Sequence, residues 1–227
     1  MKNADWTKDN IAAGGFGNTV LYRMVDENPG HSCPAVIKGK MLIIGRVYSA
    51  AVTRGAGKKA AENSNLENNL YDHLAKRIKR RHKAIDECIT ECRNMERVSC
   101  KNIRYIIETH SFLNNIIVCG INEWRSTSRR ELLDRTSFTS KYLHFHAPMA
   151  FFILDSIVQN KLKENGAKGK LTCWPEDCMP EHHTKYGKHC IRMLEYISEK
   201  KYGNNWTPRL IDGHLMGYIQ AGRLKSK

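Results

Sequence analysis

The apolar positions of this chain repeat mainly with the period of an α-helix. The clearest case is the stretch 65–97. Leu66, Leu70, Leu74 and Ile78 recur every fourth residue, and Ile85 and Ile89 continue the stripe. Its polar side reads "AKRIKRRHK" and carries Lys76, Arg77, Lys79, Arg80, Arg81 and Lys83. Segment 103–121 is apolar almost all round, the pattern of a helix buried in a core. Further helices are predicted over 183–201 and over 208–220, the second announced by Thr207 as N-cap and Pro208 at the first helical position.

Other stretches are less periodic. Residues 36–55, "VIKGKMLIIGRVYSAAVTRG", fit both strand and helix periods. The small residues of "RVYSAAVTR" and the closing Gly55 predict a helix there. Gly14, Gly15, Gly17, Pro29, Gly30 and Pro34 punctuate the first 35 residues, which predicts an irregular arm with one short helix at "NTVLYRMVDE". Residues 166–180 are a predicted loop. No convincing strand is present, so the predicted fold class is mainly α, with 1–227 as a single domain.

The segment 136–158, "TSFTSKYLHFHAPMAFFILDSIV", departs from its surroundings. It is almost wholly apolar or aromatic, yet holds one lysine, Lys141, and one aspartate, Asp155. Pro148 divides it, because the residue before a proline is biased away from the helical region. A short helix is therefore predicted over 139–146, then a loop, then a new helix near Asp155 and Ser156, either of which can cap a helix start. Desolvation among Phe138, Tyr142, Leu143 and Phe145 would lower the lysine's pKa and favour a nucleophilic amine. The bend would let Asp155 meet it in one cleft. The plain alternatives are a structural ion pair or a snorkelling lysine.

"SFTSKYLHFH" followed by "FFILDSIV" resembles the catalytic region of the helix-hairpin-helix DNA glycosylase superfamily, especially its 8-oxoguanine DNA glycosylase branch. "KMLIIGRVYSAAVTR" and "RLIDGHLMGYI" look like parts of bacterial relatives with the same core. The resemblance implies a helical fold of one or two lobes around a central cleft. It implies Lys141 as the Schiff-base lysine and Asp155 as the catalytic aspartate, with 136–158 as the hairpin and catalytic segment. Phe145, one turn beyond Lys141, would stack on an extruded base or simply fill the core. His144 and His146 flank it as pocket or structural residues. The family's hairpin usually reads Leu-Pro-Gly-Val-Gly; "TSFTS" has no glycine, so Thr136, Ser137, Thr139 and Ser140 would bind DNA phosphate through hydroxyls. Arg129 and Arg130 in the basic connection would assist. No cofactor is implied.

Charge points the same way. Lys and Arg number 37 against 23 Asp and Glu, a net charge of +14. This favours a polyanionic partner, double-stranded DNA before an anionic membrane. No apolar run follows the polar N-terminus, and no segment approaches the length of a membrane span. A monomer in the bacterial cytoplasm is expected, with its eight cysteines mostly reduced.

Three other readings compete. Cys173, Cys178, His182, His183, His189 and Cys190 contain enough ligand types for zinc, but lack a Cys-x2-Cys pair, so no metal site is assigned. Cys88 and Cys92 fit a buried stripe better than a ligand set. Arg77 and His82 fit an Arg-x4-His pattern that resembles the HEPN ribonucleases, which would cut RNA and depend on His82. A DNA-binding protein without catalysis would use Lys141 only as a phosphate contact and leave every base in place.

Overall fold

The computed structural model describes residues 6–50, 52, 64–125, 134–169, 184–202, 206–220, 222 and 224; of residues 6–16 and 64–68 it describes the backbone alone. Among these residues there are nine α-helices and no strand, as the mainly α expectation requires. In chain order they are α1 (Trp6–Glu27), α2 (Pro34–Val47), α3 (Ser64–Arg80), α4 (His82–Asn94) and α5 (Ile103–Arg125). These are followed by α6 (Thr136–His146), α7 (Ser156–Glu164), α8 (Lys185–Glu199) and α9 (Pro208–Leu215). No helix is long and apolar enough to cross a membrane among the described residues.

Two predicted arrangements at the N-terminal end are corrected. The expected irregular arm is largely α1, which runs through Gly14, Gly15 and Gly17. Glycine costs a helix interior about 1 kcal/mol each, but Leu21, Tyr22 and Val25 bury fully or nearly so against neighbouring helices, and α1 packs on α2, α6 and α9. Tertiary burial outweighs propensity here. The second helix begins and ends earlier than expected. Pro34 sits at its first turn, Ile37, Met41 and Ile44 form its buried stripe, and it stops at Val47. Ser49 then takes a left-handed φ of 48°, which ends any helical continuation. Ala51, Thr53 and Arg54 of "SAAVTR" lie outside the described residues.

The long helix expected over 65–97 is two helices, broken at Arg81, whose φ of −116° and ψ of 16° leave the helical region. The stripe itself holds: Leu70, Leu74 and Ile78 face the core from α3, and Ile85, Ile89 and Cys92 from α4. Helix α5 is not buried all round; Arg104, Glu108, Asn115, Cys119 and Glu123 form an exposed stripe. Its contact with α3 is close at Gly120, where an added Cβ would lie 2.6 Å from Leu74 Cδ2.

Helix α6 lies at the centre. It packs on α1, α2, α4, α5 and α8, and every residue from 138 to 146 is buried. A helix covered on all sides has nowhere to put polar groups except into specific partners. That constraint shapes the site.

Candidate functional site

Helix α6 ends at His146 because Ala147 precedes Pro148 and adopts φ −143°, ψ 75°. The chain turns and runs buried and without regular secondary structure through 151–154 before α7 starts. Buried backbone outside helix and sheet needs partners for its carbonyls, and side chains supply all four. His144 Nδ1 donates to Phe151 O at 2.8 Å, and the Tyr186 hydroxyl donates to Phe152 O at 3.1 Å. His189 Nε2 donates to Ile153 O at 3.0 Å, and Ser137 Oγ donates to Leu154 O at 3.0 Å. The Leu154 amide in turn donates to Ser140 Oγ at 3.0 Å.

This segment delivers Asp155 to the head of α7. Its backbone is extended, and its Oδ1 accepts the Ile157 amide at 2.9 Å, so it is the expected N-cap. Its other oxygen, Oδ2, lies 3.4 Å from Lys141 Nζ. The two residues meet across the proline bend, as the sequence pattern suggested. Lys141 is almost wholly enclosed, with its side chain 2% exposed, whereas that of Asp155 is 28% exposed. The pair therefore faces solvent only through the carboxylate.

The surroundings of Lys141 differ from the apolar cage that its sequence neighbours suggest. Its Nζ also donates to Ser137 Oγ at 2.8 Å and to Leu154 O at 3.3 Å. Three oxygens around one nitrogen match the three N–H donors of an ammonium. The Tyr48 ring completes the enclosure, its centroid 5.9 Å from Nζ. The resting lysine is thus held as a cation.

The other predicted site residues fall into place around this geometry. Phe145 is 2% exposed and packs on Tyr22 and Tyr48, so Tyr48 touches both it and the lysine. His144 is fully buried: besides its bond to Phe151 O, it takes a bond from the Tyr22 hydroxyl on Nε2. His146 donates Nδ1 to Tyr142 O at 2.8 Å and accepts from Lys40 Nζ at 3.2 Å. Thr136 is buried, its carbonyl bonded by His110 Nε2 and its amide by Asp134. Thr139 donates to Asn114 Oδ1 at 3.0 Å, and Ser140 donates to Ser137 O at 2.9 Å. In this arrangement Thr139 and Ser140 are wholly enclosed and their hydroxyls bond inside the protein. Arg129 and Arg130 lie outside the described residues.

Sequence reasoning missed a second charged pair beside the first. Arg209 and Asp212, on α9, are 7% and 2% exposed and bonded at 2.8 Å. Arg209 also bonds the Tyr48 hydroxyl, which in turn donates to Asn18 on α1. Asp212 Oδ1 is buried with no hydrogen-bond partner. Burial pushes the Asp212 carboxyl up to about 6. Arg209 and Lys141 pull it down, and the Asp155 charge pushes it up. The signal was present in "PRLIDGHL", where one Arg and one Asp stand three apart beside Leu210, Ile211 and Leu215.

The competing clusters are arranged differently. Arg77 donates to Ile116 O at 3.0 Å and grips the Glu123 carboxylate, clamping α3 to α5. His82 belongs to the next helix and bonds Lys79 O at 2.9 Å. Of the cysteine–histidine cluster, His189 and Cys190 are buried in α8, and Cys173, Cys178, His182 and His183 lie outside the described residues. Cys92 is buried in the α4 stripe, and Cys88 is partly buried. No group of three metal-ligating side chains occurs among the described residues. One concavity of about 450 Å³ opens beside the start of α6, lined by His110, Asn114, Asn115, Thr136 and Tyr186. Another of about 500 Å³ lies against Arg97 and Trp206. Neither is lined by Lys141 or Asp155.

Compared with known proteins, the chain matches no family model, no curated protein and no solved structure.

Proposed function

We propose that this protein is a DNA glycosylase of the helix-hairpin-helix type, acting as a monomer on double-stranded DNA to excise a modified or damaged base. One observation carries the reading: a buried lysine and a partly exposed aspartate, on separate elements, stand 3.4 Å apart. In this reading α5 and α6 are the two helices of the hairpin unit, and they pack together. Duplex DNA is attracted by the +14 charge, to which the exposed Lys76, Lys79, Arg80, Arg81 and Lys83 contribute. The target nucleotide is flipped from the stack and approaches from the Asp155 side. Asp155 stabilises positive charge developing on the sugar. Lys141 Nζ attacks the anomeric carbon, the Nζ–C bond forms, and the glycosidic C–N bond breaks with the electron pair leaving on the base. The ring-closed adduct loses a proton from Nζ and its C1′–O4′ bond opens, O4′ taking a proton, to give a protonated Schiff base. This is resolved by water or by β-elimination, which nicks the strand. The base is an oxidised one in repair, or a modified one in foreign DNA, which would make the protein an antiviral defence enzyme.

The test is incubation with duplexes carrying different modified bases, with the released base identified by mass spectrometry. The wild type is expected to release one base class, and Lys141→Gln none. Release by Lys141→Gln at the wild-type rate would remove the lysine from the mechanism. Base-free cleavage of single-stranded RNA that depends on His82 would replace the reading with a ribonuclease.

A further inference from the structure

Lys141 is the nucleophile of the proposed reaction, yet its amine is closed off in the resting fold. The side chain is 2% exposed, and Ser137 Oγ, Leu154 O, Asp155 Oδ2 and the Tyr48 ring stand around Nζ. A carbon that is to bond Nζ must first come to within about 3.5 Å of it, so one neighbour has to move. Ser137 Oγ also holds Leu154 O, and Asp155 also caps α7. Displacing any of these three unmakes the head of α7 or the segment before it. Tyr48 carries no such duty. It stands just beyond the end of α2 and is half-buried, with the lysine on one side of its ring.

Both ends of Tyr48 are held. Past α2 the Ala50 amide donates to Gly45 O at 2.8 Å and the Ser49 amide to Arg46 O at 3.2 Å, the paired bonds of a Schellman ending. Ser49 fills its left-handed position, at φ 48°, where glycine is the usual residue. That ending fixes the Tyr48 backbone and leaves the side chain as the part that can swing. At the far end the hydroxyl donates to Asn18 on α1, a residue only 3% exposed, and is bonded by Arg209 on α9. Between the two ends the ring lies against Phe145 of α6, with centroids 5.6 Å apart. The ring thus touches both the predicted nucleophile and the predicted pocket aromatic.

We propose that Tyr48 is a gate over the Lys141 amine, latched shut by the bonds of its hydroxyl to Asn18 and Arg209 and opened by rotation of its side chain when a flipped nucleotide enters. What opens it rests on the glycosylase reading; that it covers the amine does not. With the gate shut, free small aldehydes are kept from the amine. With it open, the sugar and base take the place of the ring beside Nζ and Phe145. Opening breaks two hydrogen bonds and a ring contact, so it needs the binding energy of the correct substrate. Such coupling makes Lys141 selective for a sugar within DNA over an aldehyde in solution.

The experiment is pulsed reductive alkylation of the protein with acetaldehyde and cyanoborohydride, stopped at low conversion and read lysine by lysine by mass spectrometry. Lys40 is the internal reference, because it too is buried, at 1% exposed, and bonds Gly30 O and His146. In the wild type both are expected to label far more slowly than the exposed Lys76. Tyr48→Ala is expected to raise Lys141 labelling about 10-fold, the factor given by about 1.4 kcal/mol less opening free energy, with Lys40 unchanged. Tyr48→Phe keeps the ring and loses the latch, and is expected to fall between the two. Equal Lys141 labelling in wild type and Tyr48→Ala overturns the gate. So does a wild-type Lys141 that labels as fast as Lys76, a Tyr48→Phe rate equal to wild type, or a Lys40 rate that rises by the same factor as Lys141, which would mark Tyr48 as general packing. Borohydride trapping on duplex DNA with a preformed abasic site separates the gate from the reaction. The wild type is expected to trap this DNA, and Tyr48→Ala to gain much less with it than with acetaldehyde, because bound DNA opens the wild-type gate. No DNA adduct from either protein, while Tyr48→Ala still exposes Lys141 to acetaldehyde, overturns the glycosylase reading alone. A DNA adduct with unchanged acetaldehyde labelling overturns the gate alone.

Discussion

Acidification from about pH 7 to about pH 5 is expected to remove a large part of the folding stability of this protein. The cause is a set of histidines buried as neutral rings. Burial lowers His110 and His189 to about 4 and His144 to about 3, and puts His146 well below its ordinary value. His31 is lowered for the same reason, although Asp86 opposes the shift. The hydrogen bonds enforce neutrality. In His144 and His146 one nitrogen donates to a backbone carbonyl while the other receives a donor, from Tyr22 and Lys40 respectively. In His31 one nitrogen is bonded to Asp86 and the other to the Tyr142 hydroxyl. A folded pKa below the unfolded value of about 6.5 means that the unfolded chain binds more protons, so stability falls as pH drops through that window. At pH 5 each of His110, His144 and His189 costs about 2 kcal/mol. Together they cost on the order of 6 kcal/mol, against a typical total of about 5–15 kcal/mol, and His31 and His146 act in the same direction. Asp212 works in the opposite sense, because its pKa is raised, but it returns only about 1 kcal/mol at pH 5. Helical circular dichroism with thermal melts from about pH 8 to pH 4 checks this. A melting temperature that holds steady from pH 7 to pH 4.5 would show that these rings accept protons inside the fold.

The same histidines show what a sequence can and cannot disclose. Their number was visible, and so was the location of His144 and His146 in an apolar segment. Their partners were not, because His144 and His189 serve carbonyls of a segment whose shape depends on the bend at Pro148, while His110 and His146 serve carbonyls of α6 and His31 bonds Asp86 and the Tyr142 hydroxyl. The capped starts of α7 and α9 were legible because capping is local chemistry: Asp155 bonds Ile157 and Thr207 bonds Leu210, two and three residues away. The meeting of Lys141 and Asp155 was legible because opposite charges in an apolar stretch have few other places to go. The extent of α1 was hidden by glycines whose cost is offset by contacts with α2, α6 and α9. Asp212 was hidden by distance along the chain, although it obeys the logic that exposed Lys141: a charge without an evident reason in an apolar setting. Ser137, Thr139 and Ser140 carried hydroxyls in the right segment, but only the fold shows them bonded to Leu154 O, Asn114 and Ser137 O.

Replacing Lys141 by methionine is expected to abolish covalent trapping while leaving the fold nearly intact, and the two outcomes together separate chemistry from architecture. Three features keep the structural cost small. Ser137 Oγ still donates to Leu154 O, so that carbonyl keeps a partner. Asp155 is partly exposed and retains its bond from Ile157, so its charge is rehydrated rather than stranded. Methionine nearly fills the volume of the lysine stem in an apolar setting. The net change should be within about 1 kcal/mol, a shift of roughly 2–4 °C for a chain of this size. Lys141→Ala should cost more, about 2–4 kcal/mol, because the site is closed on every side and the lost methylenes leave a cavity. Both variants should trap abasic DNA only at background, a loss on the order of 10³-fold or more, equivalent to at least about 4 kcal/mol of barrier. A lysine that merely pins Asp155 and the 151–154 segment would give the opposite pattern. Lys141→Met would then lose several kcal/mol and melt far below wild type, and trapping, if wild type shows any, would fall only in proportion to the fraction unfolded. Melting curves and trapping yields on the same samples decide between the two, because only a nucleophile loses all of its chemistry with almost none of its stability.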